Sequence, residues 1–251
     1  MYSCQRACQY NNYGYLNGQY LSERKNFYHK PVANFNWDWK ISEKSKLSTV
    51  GYASFGRGGG TGFLGSINGK SIFNVAKTAD GQMRWDDIVR WNQGAVIADF
   101  TNNAGTAAPA NATPGIATRN NGIVRRAHVN SHNWYGILTN FQHKINENWN
   151  FSAGFDGRYY YGYHPGVITD FLGNREYREN QNLNQQPYYT VTESYKAKPS
   201  ANPFAKAIKD DSQIASRNYD GEVLWYGVFG QVEYSKDKIS AFIQGSASNQ
   251  G

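Results

Sequence analysis

HKPVANFNWDWKI, residues 29–41, places Pro31, Ala33, Phe35, Trp37, Trp39 and Ile41 at every second position. Lys30, Asn34, Asn36, Asp38 and Lys40 stand between them, and Val32 is the one breach. Successive side chains of a β-strand point to opposite faces, so a period of two predicts a strand with one apolar and one wet face. Strands of soluble sandwiches usually run about five or six residues, and this one is about twice as long. A strand that crosses a bilayer at a tilt needs about nine to eleven alternating residues, apolar side chains to lipid and polar ones to a watery lumen. The stretch alone fits either setting, and the rest of the chain must decide.

The pattern returns in pairs. After the polar turn SEKS (42–45) comes KLSTVGYASFG (46–56). HNWYGILTNFQHKI (132–145) sets Tyr135, Ile137, Thr139, Phe141, His143 and Ile145 on one face, with Trp134 and Leu138 on the other. The short turn NEN (146–148) leads into WNFSAGFDGRYYY (149–161), where Trp149, Phe151, Ala153, Phe155, Gly157, Tyr159 and Tyr161 alternate with Asn150, Ser152, Gly154, Asp156, Arg158 and Tyr160. EVLWYGVFGQVEY (222–234), the turn SKD (235–237) and KISAFIQGSAS (238–248) make a third hairpin. Long irregular stretches separate the hairpins, one after residue 56 and one over roughly residues 162–218. Outer-membrane barrels sort their connections in this way, short turns on one side and long loops on the other, and soluble sandwiches rarely do. Trp37, Trp39, Trp149 and Tyr234 lie beside the tight turns, while Phe27, Tyr28, Trp134, Tyr135, Tyr159 and Tyr161 lie near the loop ends, as two interfacial girdles require. The expected fold is therefore all-β, a partial transmembrane antiparallel β-barrel of about three long hairpins with long external loops, spanning residues 1–251 as one domain.

Composition sets further bounds. Of 251 residues 39% are hydrophobic and 16% aromatic, a mixture that suits strands and polar loops. No run of about eighteen apolar residues offers a transmembrane helix, which excludes a helical membrane protein. The net charge of +7 is spread out, with Arg24–Lys25 and Arg125–Arg126 as its densest groups, and no nucleic-acid partner is expected. MYSCQRACQYNNYGYLNGQY (1–20) lacks a basic start, an apolar stretch and a cleavage site. Six strands cannot close a long-stranded barrel, and an open sheet would leave two unpaired edges in lipid. The expectation is an internal piece of a longer protein. Cys4 and Cys8 read as two unpaired thiols, because a zinc site needs further ligands and no His precedes His29.

YHKPVANFNWDWKI (28–41), a short turn and YASFGRGGGTG (52–62) together resemble the barrel of TonB-dependent outer-membrane receptors of the Bacteroidota type. The resemblance extends over the three hairpins and is most specific across residues 26–62. It implies a barrel of about 22 strands with an amino-terminal plug domain, importing a siderophore, cobalamin or glycan with energy delivered by the TonB complex through a TonB box. Neither plug nor TonB box is recognisable in this chain, so the TonB complex would be engaged through a plug that the chain does not carry. Outer-membrane lipid, a small-molecule or glycan ligand and a surface lipoprotein over the pore are the other partners that the resemblance allows.

Competing readings of particular residues are weaker. Gly60, Gly62 and Gly65 satisfy GxGxxG, the dinucleotide fingerprint, but SINGKSIF (66–73) has a turn-like Asn68 and Gly69 where a helix should start. A P-loop ending in Gly69, Lys70 and Ser71 would need glycine at position 64, which is Leu64. The expected role of the glycines is to let a strand leave the membrane surface and bend into an external loop. DGQMRWDDIVRWNQ (80–93) predicts a short amphipathic helix with Trp85, Ile88, Val89 and Trp91 near one face. Asp86 and Asp87 are adjacent on it and point about 100° apart, which does not suit a catalytic pair. NNAGTAAPANATPGIATRNNG (102–122) and NQNLNQQPYYTVTESYKAKPSANP (180–203) read as loops. His29, His128, His132, His143 and His164 match no metal-ligand spacing, and nothing resembles a nucleophile elbow, so neither metal, cofactor nor enzymatic activity is expected. Ligand contact is assigned to Trp85, Trp91, Arg125, Arg126, Arg158 and Tyr160, aromatics that can stack on rings and arginines that can pair with carboxylates or phosphates. The alternative is a secreted or surface carbohydrate-binding β-sheet protein, which would fold in plain buffer.

Overall fold

The computed structural model describes residues 12–101, 110–200, 202, 208 and 210–251. It is 62% β-strand, and the chain is all-β in class. The strands are β1 (Tyr13–Leu16), β2 (Gln19–Ser22), β3 (Asn26–His29), β4 (Val32–Ser42), β5 (Ser45–Ser66), β6 (Ile116–Ala117), β7 (Gly122–Val129), β8 (Ser131–Lys144), β9 (Trp149–Asp170), β10 (Glu176–Glu179), β11 (Tyr189–Val191), β12 (Ile214–Lys236) and β13 (Ile239–Gln250). Helices α1 (Ile72–Val75) and α2 (Trp85–Asn92) follow β5. Unit 1 comprises Met1–Tyr28, Arg57–Asn130 and His164–Tyr219, and unit 2 comprises His29–Gly56, Ser131–Tyr163 and Asp220–Gly251.

Unit 2 is an antiparallel meander. Its ladders run from Val32↔Ser54 to Ser42↔Ser45, from Ser45↔His143 to Gly56↔His132, from Ser131↔Tyr163 to Lys144↔Asn150, and from Trp225↔Gln250 to Lys236↔Ile239. The turns between paired strands are short: Glu43 and Lys44 join β4 to β5, and Asp237 and Lys238 join β12 to β13. β9 and β12 are neighbours, and Trp149 packs on Tyr234 at 4.9 Å between ring centres.

Directly paired residues share a face, so the register sorts the side chains. Trp37, Thr49, Thr139 and Phe155 form one row of a face, and Phe35, Gly51, Ile137 and Gly157 form the next. Val232 and Ile243 form a pair of the β12–β13 ladder. The opposite face carries the rows Asp38, Ser48, Asn140, Gly154 and Asn36, Val50, Leu138, Asp156. Near the β4–β5 turn Asp38 accepts from Ser48 at 2.6 Å and pairs with Lys46 at 3.2 Å. No described hydrophobic residue of unit 2 is buried. Phe35 is 67% exposed and Ile243 82%, so the apolar face has no packed layer against it.

Unit 1 holds the buried apolar clusters. The largest gathers Ile67, Ile72, Met83, Trp85, Ile88, Trp91, Phe100, Ile123 and Leu172. A second surrounds Tyr177, Ile168 and Val191, and a third Val167, Ile208 and Ile214. Asp86 and Asp87 in the first turn of α2 and Arg90 in its last suit the helix dipole. Buried Asn92 closes the helix onto its surroundings: its Nδ2 donates to the carbonyls of Ile123 (2.8 Å) and Leu172 (2.7 Å), and its Oδ1 accepts from Ile123 N (3.0 Å).

The strands overrun the sequence expectation. β5 continues ten residues past residue 56 to Ser66, β9 runs on to Asp170, and β12 begins at Ile214 rather than Glu222. In these extensions neighbours such as Val167 and Ile168, or Ile214 and Ala215, are both buried. With both faces covered the period of two vanishes, which is why the stretches look irregular. β7 pairs with the far part of β5 and of β9 in unit 1, and β8 pairs with their near parts in unit 2.

The glycine run belongs to strand rather than to an external loop. Gly60 and Gly62 pair with His128 and Arg126, so the GxGxxG pattern makes no strand-to-helix turn. A Cβ at Gly58 would lie 1.9 Å from the Tyr28 ring and 2.5 Å from the Phe27 carbonyl. The run therefore serves close approach of β3. Asn68 and Gly69 do form a turn, with φ of 52° and 81°.

Candidate functional site

A cleft of about 520 Å³ opens in unit 1, lined by Arg24, Asn26, Phe27, Tyr28, Gly59, Gly60, Thr61, Arg126, His128, Asn130 and Arg217. Arg126 and His128 lie two residues apart on β7 and share a face. Their partners across the ladder, Gly62 and Gly60, carry no side chain to fill the space. Arg217 enters from the start of β12, donates through Nη2 to Asn130 Oδ1 (2.9 Å) and lies 4.6 Å from the Tyr219 ring centre.

Among the described residues no carboxylate lines the cleft. The acid beside it is Glu23, 1% exposed, whose Oε2 lies 3.2 Å from Arg24 Nε. Burial pushes the Glu23 pKa up, and Arg24, the Phe63 backbone, Arg126 and Arg125 offset part of the rise. Burial pushes the Arg126 pKa down, Glu23 opposes this, and Arg24 and Arg217 reinforce it. Burial, then Arg126 and Arg217, lower His128 to about 4. The geometry concentrates positive charge and hydrogen-bond donors around a partly dry space, which suits an anion.

A pH dependence follows. An unfolded His128 takes up its proton near pH 6.5 and the folded one only near 4, so acidification across that window favours the unfolded chain. Glu23 acts in the opposite sense between its ordinary 4.5 and its raised folded value, where the folded chain binds more protons. His128→Gln is expected to flatten the loss of stability between about pH 6.5 and 4, read as urea midpoints at several pH values. An unchanged slope would refute the assignment.

Unit 2 carries a second cluster, on the polar face. Tyr160 pairs with Trp134 across β8 and β9 and meets it edge to face at 6.1 Å. His132 stacks on Tyr160 at 5.8 Å, and Tyr52 meets Trp134 at 6.3 Å. Arg158 is held by Asp156 through Nε (3.0 Å) and Nη2 (2.5 Å) and lies 4.8 Å from the Trp225 ring centre. Such a strip can stack on a planar group or a sugar ring.

The sequence-assigned residues thus divide. Arg126 lines the cleft, and Arg158 and Tyr160 join the aromatic strip. Arg125, one residue from Arg126, faces the other way, donating through Nη2 to Ser22 O (2.9 Å) and Thr61 Oγ1 (3.1 Å). Trp85 and Trp91 are core residues, 0% and 1% exposed, and Trp85 Nε1 donates to Leu21 O at 2.9 Å. Asp86 accepts from Asn17 N at 2.8 Å while Asp87 pairs with Arg84 at 2.7 Å, so the two carboxylates have separate partners. Arg24, Asn130 and Arg217 join Arg126 in the cleft from segments far apart in sequence, which no local pattern links. Among the described residues no three His, Cys, Asp or Glu are placed to hold a metal, and Cys4 and Cys8 lie outside the described residues. Searches against protein-family models and curated proteins find no match to the chain.

Proposed function

We propose that the chain is part of the barrel of a TonB-dependent receptor in the outer membrane, importing a siderophore, cobalamin or glycan ligand. The observation that carries this reading is the meander of unit 2, whose apolar face is continuous and has no packed layer. In water such a face is an aggregation hazard, and in a bilayer it is the ordinary lipid surface of a barrel. Short turns at one end of the meander suit the periplasmic side. The polar face, with Asn36, Asp38, Asp156 and Arg158, suits a lumen. Among the described residues β4 and β13 each have one neighbouring strand, so the reading requires further strands against both, since unpaired backbone is not tolerated in lipid. Energy would come from the TonB complex through a plug domain.

The test is quenching of single-tryptophan chains in vesicles with brominated acyl chains. Trp37 on the apolar face should be strongly quenched, and Trp225, which shares the polar face with Arg158, weakly. A chain that folds cooperatively in plain buffer without detergent and binds sugars overturns the proposal. It would favour the second reading, a surface carbohydrate-binding sheet, for which the Trp134–Tyr160 strip is the supporting observation.

A further inference from the structure

The arginine cleft of unit 1 is built from three distant segments, the stretch before β3, β7 and the start of β12. Arg24, Arg126 and Arg217 converge on it. The Arg24 and Arg126 guanidiniums both lie within the field of Glu23, and one buried carboxylate cannot balance three cations. Arg126 is bonded through its backbone in the ladders to β5 and β9, but among the described residues its guanidinium makes no hydrogen bond, so its donor fork is unspent. Asn130 uses its Oδ1 on Arg217 (2.9 Å) and on His164 Nδ1 (3.1 Å), which leaves its amide N–H groups as further donors. Like charges held together in a partly dry cleft repel one another, and a bound anion relieves that repulsion.

We propose that this cleft binds a small polyanion through a phosphate or polycarboxylate group, with Arg126 as the central anchor and Arg24 and Arg217 on its flanks. A volume of about 520 Å³ exceeds what a lone inorganic anion fills and suits a small organic molecule. The site takes a freely diffusing anion rather than a lipid headgroup, because its lining is short of the apolar surface an acyl chain would cover: Phe27 and Tyr28 are the aromatic lining residues and the rest are polar or glycine. As a contact for imported cargo the cleft rests on the importer reading. Anion binding itself does not, and the two are tested apart.

The experiment is calorimetric titration of the full chain, folded in an uncharged detergent, with pyrophosphate and citrate. Both should bind, and Arg126→Gln and Arg217→Gln should each weaken binding about 30-fold or more. Lys144→Gln, at a tight turn of unit 2, should leave it unchanged. Arg126→Lys should fall between wild type and Arg126→Gln, since it keeps the charge and loses the fork. Denaturant midpoints taken alongside identify any variant that is simply unfolded. Failure of a folded chain to bind either anion overturns the proposal, as does binding that survives both glutamine substitutions. Capture by vesicles containing phosphatidic acid without binding of either free anion also overturns it. Tryptophan quenching by brominated lipid decides the importer reading whichever way this titration falls.

Discussion

Trp85→Ala should cost unit 1 about 3–5 kcal/mol, among the largest effects of any single truncation in the chain. Trp85 is fully buried in the cluster with Ile67, Ile72, Ile88 and Trp91, and removing the indole leaves a cavity that a small core cannot close. The change also removes the hydrogen bond that Trp85 Nε1 donates to the Leu21 carbonyl at 2.9 Å, a further cost of about 0.5–1.5 kcal/mol. Trp85→Phe keeps most of the volume and loses only the hydrogen bond, so it should fall well short of alanine. Leu21 lies two residues before Glu23 and three before Arg24. Loosening it should therefore weaken the arginine cleft as well, although Trp85 does not line it. Urea midpoints of unit 1 read the stability change. A loss under about 1 kcal/mol would refute the core assignment.

A second large effect separates two adjacent residues. Ile137 and Leu138 are 45% and 38% exposed, yet their ladder partners place them on opposite faces, Ile137 with Phe35's row and Leu138 with Asn36 and Asp156. For a sheet in a bilayer, Ile137→Arg puts a cation near mid-membrane at about 2–4 kcal/mol, whereas Leu138→Arg enters a wet face at about 0–1 kcal/mol. For a sheet in water the two substitutions should be nearly equal. Urea titration of vesicle-bound chains compares them directly, and equal costs would remove the main support for the lipid-facing reading.

How legible the molecule was in its sequence depended on what covered each strand. Where one face is wet and the other apolar, as in Phe35, Trp37 and Trp39 of β4, the period of two is visible and marks both the strand and its turn. Where both faces are covered, as around Val167 and Ile168, the period disappears, and the later part of β9 cannot be read from it. Helix α2 was legible because Trp85, Ile88 and Trp91 recur at a helical interval. The same interval argues that both tryptophans face the core rather than a ligand. Arg125 and Arg126 are equally plausible ligand contacts by residue type, but neighbours on a strand cannot share a face. One of them anchors Ser22 and the other opens on the cleft. Arg217 could not be joined to them, since no local pattern links β12 to β7.

The separation of those segments has a kinetic meaning. Hairpins of unit 2 close over turns such as Glu43–Lys44 and can zip locally, a process of microseconds. Arg125 reaches Ser22 across 103 positions, and Arg217 reaches Asn130 across 87. Such contacts recover little enthalpy until a large loop has already been ordered, so they form late. During synthesis the arginine cleft cannot exist before residue 217 has been added and β12 has docked. Its appearance would then mark the last stage of folding, and an anion that binds it would draw late intermediates toward the finished chain by mass action.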